Sequence, residues 1–264
     1  MFETDVALKL RTAGRDVRMG LYGAIYDEYA QRFPESLPAD DANVERITQF
    51  EKAFLSRFLT PSTVMAEIGP GRCHLAYAVA PLVRKIYGVD VASDTANKAG
   101  RPANFELKLT DGIRMPFDSD SLDLVCSNQL MEHLHPDDAA EQLHEIHRVL
   151  RPSGSYICVT PSRINGPHDC SAIFNDIPCP IEHGLYTATG LHLKEYTTGD
   201  LLNVFRRVGF KRVQTWIGAR GHYIELPPSV VTAVETLLRL IPANRRKRSR
   251  LLGAFLGNRM HAMK

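Results

Sequence analysis

Apolar residues recur at two different spacings along the chain. In 22–30 and 47–59 they fall three or four positions apart, which is typical of amphipathic helices. From Thr63 to Tyr156, short apolar runs alternate with helical patterns. Because parallel strands need crossover connections, this alternation predicts a parallel sheet whose strands are joined by helices.

The predicted strands end in polar or acidic residues. The first predicted strand ends at Glu67-Ile68, the second at Asp90, and the third, which begins at Leu107, at Asp111. The carboxyl ends of parallel strands share one edge of a sheet, where such sheets bind their ligands. Three acids following three successive strands therefore indicate a nucleoside site at that edge.

A glycine turn follows the first predicted strand. Gly69 and Gly71 allow backbone angles that other residues avoid, and the helix predicted to follow offers free N–H groups to a ligand. The dinucleotide pattern G-x-G-x-x-G is incomplete, since His74 occupies its third glycine position. This departure weakens the alternative of an NAD-dependent oxidoreductase.

Several motifs in order resemble those of class I S-adenosylmethionine (SAM)-dependent methyltransferases, in particular the small-molecule group. The resemblance covers about residues 60–218, and its matching segments are 67–71, 88–90, 111–112 with 116–117 and 122–125, 132–134 and 146–154. It implies an α/β fold with a Rossmann-like, seven-stranded, mostly parallel sheet and helices on both faces. SAM is the cofactor that it implies.

The resemblance also assigns roles to single residues. Glu67, Gly69 and Gly71 would hold the methionine part of SAM, Asp90 the ribose and Asp111 the adenine. The remaining expected cofactor-binding residues are Val91, Gly112 and Asn128. Cys73 stands where the family often has a third glycine, and a small thiol should still fit at a helix start.

We expect two parts in the chain: an N-terminal helical segment at 1–60 and a SAM-binding methyltransferase domain at 61–264. Within the domain, 161–194 has few signals of regular structure and leaves the sheet beside the proposed SAM site, so we interpret it as an acceptor-binding cap. Helices like those of the N-terminal segment often fold over the SAM pocket in related enzymes. Two alternatives stay open for its Arg18, Tyr22 and Tyr26, namely contact with cofactor or acceptor and packing onto the core.

The resemblance further implies that the sheet ends in an antiparallel pair, which needs a last strand. Both 222–226 and 259–264 fit, and we favour the C-terminal segment because many relatives end on such a strand. This choice makes 227–256 a helical insertion. The capping pattern of Thr197 and Asp200, with Gly209 as a stop, predicts a helix before the strand at 211–217.

The composition limits the classes of partner that the protein is expected to bind. The chain has 264 residues, 32 basic and 30 acidic side chains and a net charge of +2, so a protein built to grip a long nucleic acid is not favoured. The basic run 245–250 is the exception; it could bind phosphate, nucleic acid or an anionic membrane, or simply face solvent. The five cysteines include no CxxC, and we predict a reducing, cytoplasmic location.

No signal peptide or membrane-spanning run is predicted, and the sequence does not predict the oligomeric state.

His133 is the candidate catalytic residue. It follows the fourth strand, and an unperturbed imidazole titrates near neutrality, which suits a general base; packing of the helix is the alternative. In metal-dependent relatives a glutamate three residues before a Glu-His pair helps to bind a cation, but here that residue is Gln129. The histidines and cysteines of 161–194 match no common zinc pattern. We therefore predict no metal.

These observations favour SAM-dependent methylation of a small-molecule acceptor, with a hydroxyl of a sugar, lipid or secondary metabolite preferred. An RNA methyltransferase, supported mainly by the basic run, is one alternative. A non-catalytic binding module that kept the fold is another, although the intact Glu67, Asp90 and Asp111 speak against it.

Overall fold

The structure, a computed structural model, describes residues 2–33, 42–92, 100–165, 168–172, 191–219, 221–241 and 257–264. The basic run 245–250 and most of the expected cap lie outside these residues. Seven α-helices are found in the described part of the chain: α1 Phe2–Thr12, α2 Arg15–Arg32, α3 Ala42–Leu55, α4 His74–Val79, α5 Pro136–Val149, α6 Thr198–Val208 and α7 Pro228–Leu238. The strands are β1 Val64–Ile68, β2 Lys85–Asp90, β3 Phe105–Leu109, β4 Leu122–Asn128, β5 Leu150–Pro161, β6 Arg212–Ala219, β7 His222–Leu226 and β8 Gly257–Met263.

The strands form one sheet in the order β3-β2-β1-β4-β5-β8-β6-β7. The first five are parallel to one another, and β8 runs antiparallel between β5 and β6. The predicted α/β, Rossmann-like and mostly parallel sheet is therefore confirmed. The strand count differs, because both candidates for the last strand are strands: the C-terminal segment enters the sheet, and 222–226 forms a hairpin with β6 at its edge.

Alternation along the buried strands sends side chains to two separate cores. On β1, Val64, Ala66 and Ile68 join one apolar cluster, whereas Met65 joins the other. Helices α1, α2, α5 and α6 contribute to the first cluster, and α3 and α4 contribute to the second. Helices thus cover both faces of the sheet, as predicted.

The α1 and α2 helices share their core with the central sheet. Val6, Ala7 and Leu10 of α1 and Tyr22 and Ile25 of α2 are buried in the same cluster as β1, β4 and β5. The division of the chain at residue 60 stays a prediction. In the described part of the chain, no helix is long and apolar enough to cross a membrane.

Local chemistry explains several helix ends. Thr197 caps α6 by accepting from the Asp200 N–H, while the Asp200 carboxylate accepts from the Thr197 N–H; Gly209 ends the helix with φ 113°. This capping box and its glycine stop are as predicted. Helix α5 begins at Pro136, with Asp137 and Asp138 in its first turn, which suits the positive end of a helix.

Candidate active site

The loop after β1 combines three residues with positive φ. Gly69 has φ 63°, Gly71 has φ 49° and Cys73 has φ 64°. Glycine takes this left-handed region readily, whereas cysteine adopts it only under strain. Cys73 nevertheless fits as the residue before α4, where its side chain is fully buried. The chain therefore makes the tight turn without a third glycine.

Glu67 lies beneath this loop and is almost completely buried. Burial, with a smaller contribution from the charge of Asp90, raises the pKa of Glu67 to about 8, although a hydrogen bond from the Ala76 backbone opposes the shift. Its Oε2 atom has no hydrogen-bond partner in the described part of the chain. A buried acceptor without a donor is unfavourable, so Glu67 is suited to receive a donor or a positive charge from a ligand.

Asp90 ends β2 beside the same loop. Its Oδ1 atom accepts from the backbone N–H groups of Val91 at 2.7 Å and Ala92 at 3.2 Å. Burial raises the pKa of Asp90, and backbone hydrogen bonds, including one from Gly71, work against this shift. These contacts fix the carboxylate at the carboxyl edge of the sheet, where it lines a pocket.

Asp111 is placed differently. Its Oδ1 atom accepts from the N–H groups of Ile113 at 2.9 Å and Arg114 at 2.7 Å, which fastens the turn after β3. The neighbouring Thr110 and Gly112 line the pocket, but Asp111 itself is not among the lining residues. The carbonyl of Gly112 accepts from the Gln142 side chain at 2.6 Å, so α5 holds this turn in place.

The pocket brings most of the predicted site together. Its lining residues come from α2, from the ends of β1, β2, β3 and β4 with the segments that follow them, and from α5: Tyr22, Tyr26, Ile68, Gly69, Gly71, Val89, Asp90, Val91, Thr110, Gly112, Gln129, Leu130, His133, Leu134 and Gln142. Of the predicted residues, Glu67, Asp111 and Asn128 are not in this lining. Asn128 ends β4 half-buried, and the lining is made instead by Gln129 and Leu130, which follow it.

His133 also lines this pocket and lies on a short 3-10 helix at Met131–His133. Its ring meets Tyr26 edge-on with centroids 6.1 Å apart. Burial, and then the charge of His192, lower the pKa of His133 to about 3. The pKa of His133 therefore lies below that of the unperturbed imidazole on which its assignment as a general base was based, and the neutral ring is favoured.

Glu132 precedes His133 and is completely buried. Its Oε2 atom accepts from the Thr160 hydroxyl at 2.9 Å, whereas Oε1 has no hydrogen-bond partner in the described residues and lies 3.9 Å from His133 Nε2. Burial raises the pKa of Glu132 to about 7. The sequence singled out this residue only as half of a Glu-His pair.

His192 is the residue that sequence reasoning missed. The N–H groups of Leu193 and Lys194 donate to the Glu132 carbonyl at 2.7 and 3.1 Å, and this contact brings His192 beside His133, with ring centroids 5.0 Å apart. His192 Nδ1 and Glu195 Oε1 are 3.0 Å apart. Although burial alone would raise it, hydrogen bonds from His168 and His192 lower the pKa of Glu195 to about 2.

The N-terminal helices supply one wall of the pocket. Tyr22 is buried, and its hydroxyl donates to Asp138 at 2.7 Å and accepts from the His135 N–H at 3.0 Å. Arg18 binds the same carboxylate and does not line the pocket. The two alternatives for these residues thus combine: Tyr22 packs into the core and also lines the pocket with Tyr26.

Comparisons with known proteins agree with this geometry. Residues 66–158 match the family model of the methyltransferase domain. A probable SAM-dependent methyltransferase of Mycolicibacterium smegmatis is 32% identical over 99 residues, which are 37% of this chain and 38% of that protein. The chain thus spans well under two thirds of this relative's length.

Solved structures share the fold. A SAM-dependent methyltransferase from Mesorhizobium loti has a TM-score of 0.56 at 17% identity, over 84% of this chain and 100% of that one. Phosphoethanolamine N-methyltransferase 1 of Haemonchus contortus, in complex with phosphoethanolamine and S-adenosylhomocysteine, has a TM-score of 0.60 at 14% identity, over 95% of this chain and 50% of that one. Over residues 66–158 the chain thus matches a methyltransferase domain, and these similarities indicate SAM as its cofactor.

The residues of the pocket fit this cofactor. A Cβ added at Gly71 would meet no atom within 4 Å, so the loop leaves free space beside the backbone on the pocket wall. SAM carries a positive sulfonium and a positive ammonium against one carboxylate. Burial raises the pKa values of both Glu67 and Asp90, and a cationic ligand offsets the penalty of ionising them.

Proposed function

We propose that this protein transfers a methyl group from SAM to a hydroxyl of a small molecule. One observation carries the proposal: a single pocket is lined by the glycine loop and Asp90 and also by Tyr26 and His133. A cofactor and an acceptor that both bind in this pocket would therefore lie next to each other. Methyl transfer requires this proximity, because the acceptor must lie in line with the methyl group.

The cofactor-binding roles follow from position. Asp90, fixed at the end of β2, is proposed to accept hydrogen bonds from the ribose hydroxyls. Glu67, with its unpartnered Oε2, is proposed to hold the methionine end together with the loop of Gly69 and Gly71. The turn of Asp111 and Gly112 is proposed to hold the adenine.

When bound, SAM supplies a methyl group on a positive sulfur, and the carbon–sulfur bond breaks with its electron pair remaining on sulfur. The protein must then align the acceptor and exclude water. Tyr22 and Tyr26 of α2 wall the pocket, which supports a water-excluding role for the N-terminal helices. A hydroxyl acceptor must also lose its proton.

His133 is the proposed contact for the acceptor hydroxyl. Its Nδ1 atom is buried without a hydrogen-bond partner in the described residues. Because its pKa is lowered, the ring is neutral and can accept a hydrogen bond from the hydroxyl, whereas full uptake of the proton needs a stabilising negative charge. The carboxylate of Glu132 lies close enough to stabilise the imidazolium that would result. An amine that attacks as the free base needs no such proton acceptor. The presence of one in the pocket therefore favours a hydroxyl over an amine as the methyl acceptor.

The experiment is a turnover assay with a panel of small alcohols, phenols, sugars and amines, in which release of S-adenosylhomocysteine is measured. We expect activity with hydroxyl compounds. His133→Ala should lower turnover by about 10²–10⁴-fold, the usual range for a lost proton acceptor, with SAM affinity nearly unchanged. His144→Ala, on the exposed face of α5, is the control and should leave both unchanged. A His133→Ala protein that is less stable but fully active would restrict His133 to packing.

The RNA alternative has its own test. If 245–250 binds RNA, affinity should fall steeply with salt, because each neutralised phosphate releases counterions. We expect no appreciable binding of a mixed-sequence RNA at physiological salt. Tight, salt-sensitive binding that is lost when these residues are replaced by serine would favour RNA as the acceptor instead.

A further inference from the structure

Three side chains at the acceptor end of the pocket converge on one point. Glu132, His133 and His192 each offer a possible ligand atom, and these atoms all lie within 4.8 Å of one another. The Glu132–His133–His192 cluster joins the end of β4 to the segment at 191–195, which are far apart in the sequence. Two imidazoles and a carboxylate are a common ligand set for transition metals.

Two atoms of the cluster lack partners where partners are expected. Glu132 is completely buried, yet its Oε1 atom has no hydrogen-bond partner in the described part of the chain, and the same holds for Nδ1 of His133. A buried acceptor that is left unpaired is unfavourable. The unpaired carboxylate oxygen of Glu132 beside the two imidazoles indicates that a positively charged group belongs in this cluster.

The outer contacts are those that orient metal ligands. Glu195 binds His192 Nδ1 at 3.0 Å, which leaves the other ring nitrogen of His192 free to act as a ligand. Glu195 is itself held by the His168 N–H at 3.1 Å, and Thr160 holds the second oxygen of Glu132 at 2.9 Å. Carboxylates behind metal-binding histidines fix the ring orientation and the tautomer in this way.

We propose that Glu132, His133 and His192 bind a divalent transition-metal ion such as Zn²⁺. Ligand bonds of about 2.0–2.2 Å in a tetrahedral site place neighbouring ligand atoms about 3.4 Å apart. Glu132 Oε1 and His133 Nε2 are 3.9 Å apart, so the side chains must close by only a fraction of an ångström at this pair. Mg²⁺ and Ca²⁺ prefer oxygen ligands and are not expected to compete.

Three protein ligands leave a coordination position for a further ligand, as in catalytic zinc sites. His133 also lines the cofactor pocket, so an acceptor oxygen in that pocket can reach the ion. With the ion bound, Glu132 and His133 act as ligands in place of the proton-accepting roles given to them above. The ion would hold the acceptor oxygen and lower its pKa, and the proton would pass to solvent. This use of the ion rests on the proposed function, whereas binding of the ion does not.

The test is calorimetric titration of Zn²⁺ into the metal-free full chain, with Mg²⁺ titrated in parallel. We expect one tight Zn²⁺ site and no comparable Mg²⁺ site. Glu132→Gln and His192→Ala should each weaken Zn²⁺ binding at least about tenfold, and Glu195→Gln should weaken it about 10–100-fold by releasing His192. Co²⁺ bound in place of Zn²⁺ should give the absorption bands of a tetrahedral nitrogen and oxygen site, and these should be lost in Glu132→Gln.

His144→Ala serves as the control for zinc bound elsewhere and should bind as the parent does. SAM is titrated into every preparation to check the fold. If SAM binds while Zn²⁺ does not, or if Zn²⁺ binding is the same in Glu132→Gln and His192→Ala as in the parent, the metal site is overturned and the SAM pocket stands. If Zn²⁺ binds as expected but no hydroxyl compound is methylated, the metal site is supported and the proposed function fails.

Discussion

Arg18 of α2 and Asp138 of α5 form a two-point ion pair inside the protein. Arg18 Nε donates to Asp138 Oδ2 and Nη2 donates to Oδ1, both at 2.6 Å, and the two side chains are 5% and 0% exposed. Although burial alone would raise it, hydrogen bonds from Arg18 and Tyr22 lower the pKa of Asp138. The pair fixes α2 against α5, and α2 in turn carries Tyr22 and Tyr26 to the pocket.

Asp138→Asn should therefore destabilise the protein strongly. The substitution leaves the Arg18 guanidinium buried without its counter-charge, which costs about 3–5 kcal/mol in the free energy of unfolding. Urea unfolding measures this difference. Glu141→Gln is the matched control, because Glu141 pairs with Arg15 on the exposed surface of the same two helices and such pairs contribute about 0–1 kcal/mol. Equal effects of the two substitutions would contradict the structural role given to Asp138.

Gly71→Ala separates backbone strain from ligand contact. Gly71 and Gly100 have φ 49° and φ 70°, and a Cβ at either position meets nothing within 4 Å. Alanine at either position should therefore cost about 1–2 kcal/mol of stability for its left-handed backbone. Only Gly71 lines the pocket, so Gly71→Ala alone should also weaken SAM binding, by about tenfold or more. Calorimetric SAM titrations with both variants check this, and an equal loss in Gly100→Ala would show that the effect is strain alone.

The raised pKa of Glu67 predicts that the stability of the protein depends on pH in the absence of SAM. Its pKa is about 8 in the folded protein against an ordinary value of 4.5, so between these values the folded state keeps a proton that the unfolded state has lost. The free energy of unfolding contributed by Glu67 is thus highest below pH 4.5 and falls as the pH rises towards 8, by at most about 1.4 kcal/mol per unit.

Glutamine does not titrate, so Glu67→Gln removes the contribution of Glu67 to the pH dependence of stability. The difference in stability between Glu67→Gln and the parent should therefore shift in favour of glutamine from pH 5 to pH 8.5, as measured by urea unfolding at both pH values. Glu141→Gln again provides the control, since its side chain is partly exposed on α5. A difference that does not change with pH would mean that Glu67 is ionised in the folded protein.

Features with a local cause could be predicted from the sequence. The strands at 64–68 and 85–90 are short, apolar and followed by glycine or acid, and Thr197, Asp200 and Gly209 carry their capping information within one helix. The glycine loop and Asp90 were placed correctly at one sheet edge, because parallel strands bring their carboxyl ends together.

Features that depend on distant contacts could not be predicted in this way. Asp138 has the sequence position of an exposed acid in the first turn of a helix, and only its partner Arg18, 120 residues away, makes it a buried ion-pair residue. His192 similarly gains its place from backbone hydrogen bonds between its neighbours and Glu132. The lowered pKa of His133 follows from the same packing. The eighth strand was not predicted because 222–226 and the C-terminal segment were treated as alternatives for one last strand. Both are strands of the sheet.

The most direct test of the SAM site is calorimetric titration of SAM into the parent, Asp90→Ala and Asp118→Ala proteins, each checked for folding by thermal melting. Asp90 lines the pocket, whereas Asp118 is exposed outside it. Charged hydrogen bonds contribute about 1.5–3 kcal/mol, so Asp90→Ala should bind SAM roughly ten- to hundredfold more weakly, and Asp118→Ala should bind it as the parent does. Unchanged SAM affinity in a folded Asp90→Ala protein would contradict the assignment of this pocket to the cofactor.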